Sequence, residues 1–123
     1  MILSFKERFI VPILDGTKIH TIREDKNCRW KPDRLIHFAT GVRTKEYLEF
    51  KQSLCVSTQK IEIECGVSNG EKQVSVEVDG RPLSVAEILR LSKADGFESI
   101  LDFYKWFEGS FKGRLIHWTN FKY

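Results

Sequence analysis

Two runs of alternating residues meet at Asn69-Gly70, and that meeting limits the folds open to the chain more than any other feature. Upstream, Leu54–Cys65 carries Val56, Ile61, Ile63 and Cys65. Downstream, Gln73–Val78 sets Val74, Val76 and Val78 at period two. Side chains of a strand point alternately to its two faces, so each run has one apolar face. Ser68-Asn69-Gly70 is a hairpin signal, because Asn and Gly accept the positive φ angles of a tight turn. The pattern predicts an antiparallel hairpin, and Asp79-Gly80 turns the chain again after it.

Elements on either side complete an α+β order. Phe5, Phe9 and Ile13 recur at helical spacing, which predicts an amphipathic helix over 3–15 with a kink or break at Pro12. Ile19–Arg23 alternates as a first strand, Lys31-Pro32-Asp33 reads as a turn, and Leu35–Ala39 as a second strand. Ser84 and Glu87 form a capping-box pattern opening a helix over 85–94. Ser99 and Asp102 suggest the same device for a helix over 99–108, with Ile100, Phe103, Tyr104 and Phe107 as its core stripe. A last strand is expected over Gly113–Phe121. Strands followed by helices and a closing strand indicate a mainly antiparallel sheet in one domain spanning residues 1–123.

Composition narrows the function. The chain is 41% hydrophobic, and no apolar run approaches the roughly 18 residues that span a membrane. Lys6, Glu7 and Arg8 interrupt the N-terminus where a signal peptide would need its apolar stretch. Cys28, Cys55 and Cys65 are odd in number and widely spaced, so a disulfide framework or zinc knuckle is not expected, and a reducing cytoplasm is. His20, His37 and His117 lack metal-ligand spacing; the two strand histidines, His20 and His37, are expected to be structural. No P-loop, dinucleotide fingerprint or nucleophile elbow is present, so phosphoryl transfer from nucleoside triphosphates and serine-hydrolase chemistry are not expected, nor is any metal or cofactor. The net charge of +3 is uneven: residues 1–51 carry +4 and the remainder −1. A basic N-terminal half suits a nucleotide or polyanion, and equally a solvated mixed surface.

That half contains the chain's densest chemistry. After Gly16, which can close a helix in the left-handed conformation, come Lys18, Thr21 and Arg23 within six residues. A lysine with depressed basicity can take the proton of a hydroxyl, and a guanidinium can hold an anion or carbonyl. In a regular strand Thr21 and Arg23 share a face and Lys18 points to the other. Lys18 approaches Thr21 only if it belongs to the turn. Arg23, Arg29, Arg43 and Lys45 are candidate phosphate or base contacts, and Trp30 is either a stacking partner for a base or a packing anchor. Gly41 allows close approach to a ligand or a tight turn.

The spacing Gly16-x-Lys18-x-x-Thr21-x-Arg23 resembles the ASCH domain family of the PUA-like superfold. Arg29-Trp30-Lys31-Pro32, Phe38-Ala39-Thr40-Gly41-Val42-Arg43, Ala94-Asp95-Gly96-Phe97 and Ile116-His117-Trp118 match it in the same order. The resemblance implies a PUA-like β-barrel with flanking helices and a ligand cleft beside the first helix and strand, bordered by Thr40, Gly41 and Arg43. It implies recognition of RNA or a modified pyrimidine nucleoside. It also implies, as an alternative, N(4)-acetylcytidine-type amidohydrolase chemistry with Lys18 as base, Thr21 as nucleophile and Asp95 as acid. Family enzymes carry a glutamate near that last position, one methylene longer, and Asp-Gly is in any case a turn former. Ribonuclease activity is a third alternative.

Overall fold

The computed structural model describes residues 1–123. In chain order the elements are β1 (Ile2–Ser4), a 3-10 turn at Glu7–Phe9, α1 (Ile10–Asp15), β2 (His20–Arg23), β3 (Leu35–Thr40), β4 (Leu48–Leu54), β5 (Ser57–Ser68), β6 (Glu71–Val78), β7 (Arg81–Pro82), α2 (Val85–Ala94), α3 (Ile100–Trp106) and β8 (Gly109–His117). The hairpin forms as its sequence predicts. Asn69 and Gly70 take φ of 53° and 79°, and Ser68 pairs with Glu71 across the turn. Ile61, Ile63 and Cys65 then face Val78, Val76 and Val74 as apolar cross-strand pairs. Asp79 and Gly80 repeat the geometry to start β7. Ser84 and Glu87 make both bonds of the capping box at the start of α2. At α3 only half of the device forms: Ser99 Oγ accepts from the Asp102 amide.

Three expectations are corrected. The N-terminal segment is not one helix over 3–15: it begins as β1, bends through the 3-10 turn and becomes helical only at Ile10. Leu3 is drawn into pairing with Phe38, and Pro12 falls at the third position of α1, where a backbone donor has no intrahelical acceptor to lose. The proline therefore causes no break. The alternation over Leu54–Cys65 is two strands. At Cys55, buried and bonded through its backbone to Asp33 and Arg34, the chain leaves one sheet, and Val56 hands it to the other by donating to the His117 carbonyl. The last strand starts at Gly109, opposite Cys65, and stops at His117, since Trp118 turns into a core.

Eight strands make two sheets, β1-β3-β4 and β2-β8-β5-β6-β7, with only β1 and β3 parallel. The sheets share no strand, so hydrogen bonding does not close them into a barrel. Each supports a core. Ile61, Ile63, Val76, Val78 and Leu115 pack beneath Leu91, Phe97 and Phe103 of the helical layer. Leu3, Phe5, Phe9, Ile13, Ile36, Phe38, Ile116 and Trp118 form the second core. Leu115 and Ile116 are adjacent in β8 and enter different cores, so that strand is covered on both faces. No helix is long and apolar enough to cross a membrane.

Gly113 sets how closely β2 and β8 approach. A Cβ there would lie 2.4 Å from the Arg23 carbonyl oxygen and 2.7 Å from the Phe111 ring. Gly113→Ala should therefore destabilise the fold by roughly 1–3 kcal/mol, as overpacking does. Gly66→Ala in neighbouring β5, where nothing lies within 4 Å, should be near neutral. Thermal unfolding of the two variants measures the contrast.

Candidate functional site

Lys18 reaches the interior because it is not a strand residue. Gly16 ends α1 at φ 84°, the Lys18 amide donates to the Pro12 carbonyl, and the Ile19 amide donates to the carbonyl of Ala94 at the end of α2. This turn frees Lys18 from the strand alternation and places it in the same cleft as Thr21. Only 2% of Lys18 is exposed. Its ammonium donates to the His20 carbonyl at 2.9 Å and the Asp95 carbonyl at 2.5 Å, and lies 3.3 Å from Asp95 Oδ1. Rings of Phe9 and Phe5 stand 4.9 and 5.7 Å from Nζ.

Asp95 is both turn residue and charged member of the site. It caps α2, its amide donating to the Leu91 carbonyl, and Gly96 follows at φ 94°. A Cβ on Gly96 would come within 2.9 Å of the Phe9 ring and 3.0 Å of Lys18 Cδ, so glycine is required by contact as well as by φ. Asp95 Oδ1 also receives His20 Nδ1 at 3.0 Å. His20 is fully buried, and desolvation lowers its pKa against the pull of Asp95. It is therefore neutral, with Nδ1–H donating to Asp95 and Nε2 accepting from the Tyr123 hydroxyl at 2.7 Å. Gln59 holds Tyr123 in place through both its backbone groups, at 2.9 and 3.0 Å, and meets His117 Nε2 at 2.9 Å.

Thr21 and Arg23 share a face of β2 as the alternation predicts. Arg23 Nε donates to Thr21 Oγ1 at 3.2 Å, its terminal nitrogen donates to the Ser4 carbonyl, and its guanidinium lies 4.9 Å from the Phe5 ring. Burial lowers the pKa of Lys18, opposed by Asp95 and reinforced by the charges of Arg23 and Arg8. Burial likewise lowers the pKa of Arg23, again opposed by Asp95.

Lys18, Thr21, Arg23 and Asp95 open together into a cleft of about 330 Å³ walled by Phe5, Phe9, Phe97, Trp106 and Phe107. That volume is at the lower end for small-molecule sites. The other expected contacts are not brought to it. Trp30 is 8% exposed and belongs to the second core, the packing anchor of the two readings. Arg29 sits on a loop whose amides the Asp25 carboxylate caps. Thr40 is buried at the end of β3, and Gly41 takes φ 62° in a turn closed by the Thr44 amide, where a Cβ would strike the Glu46 carbonyl at 2.6 Å. Arg43 and Lys45 continue that turn, exposed, and Arg43 does not line the cleft. The aromatic walls are what the sequence reading missed. Phe5 and Phe9 were indistinguishable from a helix face by spacing, and Trp106 falls outside the apolar stripe of its own helix. No cluster of three His, Cys, Asp or Glu is placed to hold a metal ion.

Comparison with family models, curated proteins and solved structures returned no match.

Two stability effects follow from this charge network. His117 is pushed from 6.5 down to about 4, chiefly by desolvation and then by His20, and His20 shifts in the same direction. Between those pH values the unfolded chain binds a proton that the folded chain refuses. Stability is thus full above pH 6.5 and falls as pH drops through the window, by about 2–3 kcal/mol for His117. Urea unfolding from pH 7 to pH 4 measures it, and the His117→Gln variant should show a shallower loss. Asp95→Asn leaves a buried ammonium without its counter-charge and should cost on the order of 3 kcal/mol at pH 7 in the same assay.

Proposed function

We propose that the cleft binds a modified pyrimidine nucleoside, free or within RNA, with the base against Thr21 and Arg23 and its faces between aromatic rings. The observation that carries this is the convergence of a half-buried guanidinium and a buried hydroxyl on an aromatic-walled space of nucleoside size. Arg23 retains donors beyond those given to Thr21 and Ser4, suited to a base carbonyl. Thr21 accepts from Arg23, and its own O–H remains to be donated. The resemblance to ASCH domains supports the same ligand class, and a PUA-like pseudo-barrel is the reading of the two sheets that accompanies it.

One observation favours a hydrolytic second reading. The Arg23 charge at Thr21 Oγ1 stabilises an alkoxide, and Lys18, which lines the same cleft, is held below its ordinary basicity. For this step the Lys18 ammonium, committed to the His20 and Asp95 carbonyls and to Asp95 Oδ1, must lose its proton and turn the lone pair from Asp95 to the Thr21 hydroxyl. Thr21 Oγ would then attack the acyl carbon of an N(4)-acylated cytosine. As the C–N bond breaks, the proton on Lys18 passes to the departing exocyclic nitrogen, and water cleaves the acyl-threonine ester. A ribonuclease reading is not favoured: no histidine lines the cleft.

Calorimetric titration with N(4)-acetylcytidine should show binding, and chromatography should show cytidine release if the second reading holds. Thr21→Val keeps the side-chain shape and should lower release at least about 100-fold while binding persists. Unchanged release in that variant overturns the nucleophile. Absence of binding at millimolar nucleoside overturns the cleft assignment.

A further inference from the structure

The mouth of the cleft carries charge that its floor does not use. Lys6 and Trp106 line both the cleft and an adjoining hollow of about 360 Å³, whose other walls are Arg8, Asp102 and Lys105. Trp106 is 46% exposed. Lys6 Nζ stands 5.0 Å from its ring centroid, and the Arg8 guanidinium 5.3 Å from it and 4.8 Å from Phe9. None of Lys6, Arg8 or Lys105 joins any of the protein's ion pairs. Asp102 is the hollow's single acid, and Glu7, between Lys6 and Arg8 in sequence, pairs with neither.

We propose that this rim binds a phosphate group of the ligand whose base occupies the cleft. The inference rests on the nucleoside reading and narrows it to phosphorylated ligands, either a mononucleotide or an RNA strand. Stacking on Trp106 and Phe9 holds the Lys6 and Arg8 side chains in position before anything binds, which reduces the entropy lost when an anion arrives. A guanidinium offers paired donors to phosphate oxygens, and two ammonium groups add point charge. Arg8 is near enough to Lys18 to lower the basicity of that buried amine, so rim and floor already feel each other electrostatically. A phosphate on the rim would offset part of the Arg8 field.

The test compares three probes by calorimetry at low and high salt: N(4)-acetylcytidine, its 5′-monophosphate, and a trinucleotide with acetylcytidine at its centre. The monophosphate should bind about tenfold to hundredfold more tightly than the nucleoside at low salt. That ratio should shrink towards one in the Arg8→Gln/Lys105→Gln double variant and as salt rises. Both positions are exposed, so the folded state should survive the changes. A trinucleotide tighter than the monophosphate assigns the rim to the RNA backbone, and a weaker one assigns it to a free nucleotide. Nucleoside binding with a ratio near one in the parent protein overturns the rim and leaves the cleft reading intact. No binding of any probe overturns both.

Discussion

The buried contact between Lys18 and Asp95 is the constraint around which the rest of the site is arranged. An ammonium and a carboxylate with only 2% and 6% of their side chains exposed are costly to desolvate, and the cost is offset only when every donor finds a partner. Here the partners come from three places in the sequence: the turn after α1, the His20 carbonyl at the start of β2, and the end of α2. One hydrogen-bonded group therefore joins the N-terminal segment to the helical layer 77 residues further on. Gly96 makes the contact sterically possible, and Phe9 closes over it. Such a pair contributes little net stability, whereas leaving either partner buried and unpaired is costly.

The cleft itself follows from the two-core architecture. β8 sends Leu115 to one core and Ile116 to the other, and β2 sends Ile22 to the first. Where the cores diverge around β2, Phe5 and Phe9 belong to one and Phe97 and Phe107 to the other. Phe9 and Phe97 meet edge to face at 6.2 Å, and both contact Trp106. The space left between these rings is the cleft. Apart from the exposed Trp106, its walls are thus core residues seen from the side, which makes them rigid without further support.

This explains what could be read from the sequence and what could not. Period-two alternation and Asn-Gly, Asp-Gly and Ser-x-x-Glu signals are local, so the turn and α2 are legible to the residue and the strands of the β5–β6 hairpin to within three residues. Grouping Lys18, Thr21 and Arg23 needed only their proximity along the chain, and the family resemblance was enough to add Asp95. The N-terminal segment was misread because Phe5, Phe9 and Ile13 satisfy a helical period while a parallel pairing of Leu3 with Phe38 overrides it; no local signal announces a non-local partner. The passage of the chain between sheets at Cys55 is hidden for the same reason. Trp30 and Arg43 illustrate a different limit. Residue type indicates what a side chain can contact, whereas only packing decides whether it meets ligand or core.

The distribution of hydrogen bonds separates two kinds of positive charge in this protein. At the floor, all three directions of the Lys18 ammonium are committed to protein oxygens, and Arg23 gives donors to Thr21 and Ser4. A ligand arriving there meets a lysine already neutralised by Asp95 and an arginine with some donors to spare, an environment that favours a polar but uncharged group. A free anion at the floor would have to compete with Asp95 for Lys18 and would be desolvated beside a buried carboxylate, which costs more than it returns. At the rim the cations are solvated and without carboxylate partners, Lys6 and Arg8 lie over aromatic rings, and an anion there displaces only water and salt. The chemistry that suits the floor is therefore that of a neutral base with a carbonyl, and the chemistry that suits the rim is that of the charged end of the same molecule. Trp106, the aromatic ring common to both, sets floor and rim side by side.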